Sequence, residues 1–169
     1  LIQPVFEQVF NRASTFPYWF ATIALLAASS SYVNARLVRK LGMRMLTSIA
    51  FRAQVCFSAL VFFVYWLGYF EGQFGFFCFL FWMFSIFFQA GLTMGNLTAL
   101  AMEPVGHIAG TAASLVSAIA TIGSVLLAAI VGQFFDGTPA AMIAGVALFT
   151  TLGAISSHRL KWYDRASNA

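Results

Sequence analysis

The sequence predicts an all-α fold, a polytopic bundle of transmembrane helices with five full spans. Three observations carry this. Of 169 residues, 61% are hydrophobic and only 8% are charged, against about 25% charged in an ordinary soluble domain. The charges cluster, and five uncharged runs separate the clusters: 13–35, 53–70, 72–102, 108–135 and 137–157. No run alternates apolar and polar residues with period two, so helices rather than barrel strands must satisfy the backbone in lipid.

Each run reaches the roughly 18 apolar residues that mark a spanning helix. The spans are expected near 15–36, 46–69, 73–101, 108–134 and 138–158, in a single transmembrane domain covering 1–169. Residues 1–10 start without a Met or a basic leader and are too short to cross a bilayer. They read as the end of a truncated preceding helix. Buried core helices of a large soluble protein are the competing reading, and five such runs in succession argue against it.

Lys and Arg set the expected orientation. The first connection holds Arg36, Arg39, Lys40 and Arg44, with Arg52 just inside the next span. The second connection, around Glu71, and the fourth, around Asp136, hold no basic residue. The third runs from Glu103 to His107, and the tail carries Arg159, Lys161 and Arg165. By the positive-inside rule the first and third connections and the tail face the cytoplasm. Trp162 and Tyr163 fit an interfacial anchor after the last span.

Function classes narrow next. Cys56 and Cys78 lie inside apolar spans with no paired spacing, and read as packing residues. His107 and His158 stand alone at span edges. The sequence offers no metal cluster, no phosphate loop and no nucleophile with a partnered base. No enzyme, no cofactor and no nucleic-acid partner is therefore expected.

The polar groups inside the spans are the better functional signal, because burying them in lipid is costly without partners or water. Gln89, Thr93 and Asn96 fall at i, i+4 and i+7 on one face of the third span. They are candidates for a substrate pathway, together with Gln3 and Tyr18. Interhelical hydrogen bonding is the plainer explanation, and for the serines near 29–31 and 114–117 the preferred one. The third span is also long, and Gly91 and Gly95 are its expected bend. Small residues at four-residue spacing, among them Gly110, Ser114 and Ser117, mark close helix packing, as do Gly91 and Gly95.

Two segments resemble a known family. Asn34-Ala-Arg36-Leu-Val-Arg39-Lys40-Leu-Gly42-Met-Arg44 resembles the basic loop between helices eight and nine of the major facilitator superfamily. Asn96 to Ser114, with Glu103-Pro104 and Gly110-Thr-Ala-Ala-Ser114, is similar to the helix ten to eleven junction of Bcr/CflA-type multidrug-resistance transporters within it. The resemblance covers nearly the whole chain. It departs at Phe20-Ala-Thr-Ile23, where the family usually has Phe-Ala-Leu-Asn, and at Ser117, where it usually has Gly.

The resemblance implies a C-terminal half: helices eight to twelve and the end of helix seven. It implies a secondary transporter of a bacterial inner membrane, exchanging protons for a small hydrophobic or cationic drug or metabolite. The missing N-terminal half would be its partner and the lipid bilayer its surroundings. Arg36, Arg39, Lys40, Gly42, Arg44 and Glu103 would form its cytoplasmic gate, with Glu103 a candidate partner for the arginines. The five acids all lie at span edges, so the proton-coupling site has no assigned residue and the chain alone is not expected to transport. A facilitator of another substrate class, or a small stand-alone assembly or channel protein, stays open beside this reading.

Overall fold

The computed structural model describes residues 2–167, with side chains as far as His158. The chain is an all-α bundle, with no strand among the described residues. Its helices are α1 (Ile2–Gln8), α2 (Phe16–Ala27), α3 (Ser29–Leu41), α4 (Met43–Trp66), α5 (Gly72–Met102), α6 (Ala109–Gln133) and α7 (Ala140–Ser167). Three continuous helical stretches are long and apolar enough to cross a membrane: Met43–Trp66, Gly72–Gln133 and Ala140–His158. The second holds two helices, because a 3₁₀ turn at Glu103–Ile108, with non-helical torsions at Val105, separates α5 from α6. These stretches fit an integral membrane protein.

The first expected span, 15–36, is two helices, α2 of 12 residues and α3 of 13. The run Ser29-Ser30-Ser31 explains the break. Ser29 Oγ donates to the Leu26 carbonyl at 2.6 Å, and such local bonds compete with the helix ladder. Ala28 keeps right-handed torsions (φ −58°, ψ −24°), so the two helices follow each other closely.

The expected basic loop is not a loop. α3 runs on to Leu41, α4 starts at Met43, and Gly42 alone joins them. Gly42 sits at φ 76°, ψ 157°, a region open essentially only to glycine. Its N–H closes α3 on the Val38 carbonyl at 2.9 Å, and its own carbonyl opens α4 by accepting from Leu46 N at 3.1 Å. Arg39 and Lys40 therefore occupy the last turn of α3, where cations offset the negative end of the helix dipole.

α5 is α-helical over all 31 residues, Gly91 and Gly95 included. At about 1.5 Å per residue it is about 46 Å long, more than the roughly 30 Å hydrocarbon core. The break expected at those glycines comes instead at the turn that follows Met102. Proline at 104 removes a backbone donor there, and that favours ending the helix.

The core gathers at the end of the bundle opposite Gly42. Val5 and Phe6 of α1 are fully buried among Phe76, Phe79, Trp82 and Met83 of α5, Val61 of α4 and Ile143 of α7. Phe6 meets Phe16, Phe76 and Phe79 edge to face, with centroids at 5.1, 5.6 and 5.9 Å. Arg12 lies over the Phe76 ring at 4.5 Å. Edge-to-face pairs contribute about 0.5–1.5 kcal/mol each beyond burial. That matters in lipid, where apolar burial alone gives helices little reason to associate.

α4 packs along both α5 and α7. Between α4 and α5 a buried polar chain closes the contact: Trp82 Nε1 and Gln54 Nε2 both donate to Ser58 Oγ, at 3.1 and 3.2 Å. α6 differs from the rest and buries no residue at all. The tail residues Arg159, Lys161, Trp162, Tyr163 and Arg165 lie outside the residues whose side chains are described.

Candidate functional site

The basic end of the bundle is built by α3, α4, α5 and the turn before α6. Two contacts fasten its segments together. Asn96 Nδ2 of α5 donates to Asn34 Oδ1 of α3 at 2.7 Å, and also to its own Leu92 carbonyl at 2.8 Å. Arg44 Nη2 at the start of α4 pairs with Glu103 Oε2 at 2.9 Å. The first contact is buried on the Asn96 side, which is 5% exposed. The ion pair is open to solvent, and a pair of that kind contributes about 0.2–1 kcal/mol. The two connections it joins, 59 residues apart in sequence, lie at the same end.

The other basic residues take local partners. Arg36 stacks over the Tyr32 ring at 4.5 Å, and Arg39 Nε donates to the Ala35 carbonyl at 3.2 Å. Lys40 is exposed. At the far end of the molecule, the Asp136 carboxylate accepts from the Thr138 hydroxyl and backbone N–H, at 2.6 and 3.1 Å. Those bonds hold its carboxyl below the ordinary range.

Along α5 the polar face is satisfied step by step. Gln89 Nε2 donates to Thr93 Oγ1 at 3.1 Å, and Thr93 Oγ1 donates back to the Gln89 carbonyl at 3.0 Å. Thr93 is buried and Gln89 half-buried. The contact that lets α3 approach this face is at Gly91. A Cβ there would collide with the Oγ and Cβ of Ser30, so the small residue is what allows the two backbones together. Gly95 and Gly110 meet no neighbour within 4 Å. Ser114 donates to the Gly110 carbonyl at 3.0 Å and is exposed, and Ser117 is exposed on α6.

Beside Gln89 a cavity of about 390 Å³ opens between α3, α4 and α5. That is within the roughly 300–1,000 Å³ of small-molecule sites. Four rings line it, Phe57, Phe81, Phe84 and Phe88, with three polar groups, Gln54, Ser85 and Gln89. Phe57 and Phe81 meet edge to face at 5.4 Å, and Phe81 and Phe84 stack at 6.1 Å. Ring faces attract cations, so this lining suits a flat apolar or cationic molecule held by two amides.

Gln3 and Tyr18 are exposed on α1 and α2 and do not line this cavity. Three functional side chains stand outside the sequence expectation: Gln54, Ser85 and the aromatic lining. Gln54 carries a readable signal, since it is a lone amide within an apolar run. The phenylalanines carry none, because twenty of them are scattered through the chain.

The chain matches no protein-family model, and no curated protein or solved structure matches it.

Proposed function

We propose that the chain is the C-terminal half of a secondary active transporter of the major facilitator superfamily, of the Bcr/CflA multidrug-resistance type. In this reading it exports a small hydrophobic or cationic drug or metabolite in exchange for protons across a bacterial inner membrane. All five helical runs span the bilayer, and the C-terminus is cytoplasmic.

The observation that carries the reading is the double fastening at the basic end. The two segments that resemble the family, 34–44 and 96–114, are joined by Asn34–Asn96 and by Arg44–Glu103. A charged clasp between two connections on one side is what an alternating-access cycle needs. It closes when that side is shut and opens when the half rocks. The aromatic cavity beside Gln89 supports the substrate class, and the bare α6 leaves a surface for a second half. The proton site belongs to that second half, since no acid lies on the polar face of α5.

The test joins this chain to the segment encoded ahead of Leu1 and follows ethidium efflux from energised cells. The joined protein is expected to lower ethidium accumulation, a protonophore to abolish the effect, and the chain alone to show none. An upstream segment without six or so apolar spans, or a joined protein that leaves accumulation unchanged, overturns the reading.

One observation favours a stand-alone membrane protein. Val5 and Phe6 give the chain a fully buried aromatic core of its own. Ion conductance in liposomes holding only this chain would establish that alternative.

A further inference from the structure

Arg52 belongs to none of the polar pairs described above. It lies eight residues beyond Arg44, about 12 Å further along α4, inside a stretch long and apolar enough to cross a membrane. Among the described residues no carboxylate pairs with it. A guanidinium keeps its proton in proteins, so at that depth it requires an anionic partner or a path to the interface.

The side chain opens into a recess of about 350 Å³ between α4 and α7. Arg52 and Val55 line it from α4, and Thr151, Ala154, Ile155 and His158 from one stripe of α7. The recess is graded in polarity. α4 leads away from the basic end and α7 returns toward it, so Arg52 and His158 both sit at the basic end. Val55, Ala154 and Ile155 lie deeper. Thr151 is deepest, and its hydroxyl is already given to the Ala147 carbonyl at 2.6 Å. Two nitrogen donors thus stand at one mouth, with an apolar wall behind them and no acid in the lining.

We propose that this recess holds one anionic phospholipid from the leaflet on the basic side. Its phosphodiester rests on Arg52 and His158, and an acyl chain starts along Val55, Ala154 and Ile155. The match is of charge and of polarity gradient together. A guanidinium binds phosphate oxygens in a two-bond fork. A free phosphate would leave the apolar wall uncovered, and a peptide carboxylate would bring backbone donors that this wall cannot satisfy. The proposal rests on membrane residence alone and is independent of transport.

The test places the purified chain in nanodiscs of phosphatidylcholine with a minor fraction of phosphatidylglycerol, then counts retained lipid by native mass spectrometry. The wild type is expected to keep one phosphatidylglycerol in preference to phosphatidylcholine. Arg52→Gln should lower that retention about tenfold. Arg52→Lys, which keeps the charge and any fold that depends on it, should lower it about threefold because the fork is lost. His158→Gln should act in the same direction. Lys40→Gln, at the basic edge outside the recess, should leave retention unchanged. Equal retention of the two lipids overturns the proposal. So does a Lys40→Gln loss as large as that of Arg52→Gln, or displacement of the lipid by inorganic phosphate alone.

Discussion

α5 and α6 are neighbours in sequence, both uncharged and both strongly apolar, yet the bundle treats them in opposite ways. α5 buries Phe76, Phe79, Trp82 and Met83, and α6 buries nothing. The difference lies in reach rather than in hydrophobicity. Large rings on α5 extend across to α1, α2 and α4 and find partners at 5–6 Å. The Ala, Gly and Ser of α6 extend almost nowhere, so they make contact only where another backbone comes close. One such place exists, where Val131 of α6 lies against Gly145 of α7. In lipid, packing decides association, and these two helices pack by different means.

Matched substitutions can break or sharpen that contrast. The largest effect is expected at the rings. Phe76→Ala should lower stability to denaturant in detergent micelles by about 3–5 kcal/mol. Leu126→Ala on α6, where the side chain is 60% exposed, should stay within about 0.5 kcal/mol. Equal losses would mean that α6 is packed after all.

Glycines give the next effect, with opposite signs. Gly91→Ala drives a methyl into Ser30 and should cost about 1–3 kcal/mol. Gly123→Ala on α6 meets nothing within 4 Å and should stabilise by about 0.5–1 kcal/mol through helix propensity. Thermal melts of the two variants side by side read the signs directly.

A smaller loss is expected inside the α4–α5 contact. Ser58→Ala strands the Trp82 indole and the Gln54 amide, at about 1–2 kcal/mol. Its companion Ser117→Ala on α6 should be silent in the same assay.

The smallest effect belongs to the ion pair that precedes α6. Glu103→Gln should cost about 0.2–1 kcal/mol at low salt and nothing measurable at high salt, where exposed charges are screened. A loss that survives high salt would show that the pair does more than tether the turn.

Much of this architecture is legible in the residues. Charge gaps bound the long helices because an ionised group is costly in a low-dielectric layer. Those bounds agree with α4, α5 and α6 to within three residues at every end. The pairing of Arg44 with Glu103 follows the same logic, since both mark one edge of the bilayer. Other features are hidden for physical reasons. Arg36, Arg39 and Lys40 look like a loop because they are charged, but charge is equally at home on the last turn of a helix. Asn34 meets Asn96 across two helices, and no spacing along one chain announces that. The bend expected at Gly91 and Gly95 is absent because Gly91 serves a close approach instead, a purpose that looks the same in sequence. The cavity is hidden for another reason: its shape comes from which phenylalanines face each other, and all of them read alike.

The one-residue joint at Gly42 has a mechanical consequence. Two backbone torsions separate two helices of 13 and 24 residues, so the connection has no slack. Any rotation of α3 about its axis is handed to α4 nearly whole, as through a shaft coupling. An inserted residue would turn α4 by about 100°, the advance of one residue in a 3.6-residue turn. That would swing Ser58 away from Trp82 and carry Arg52 off α7. The length of this joint, as much as its charge, sets which face of α4 the rest of the bundle meets.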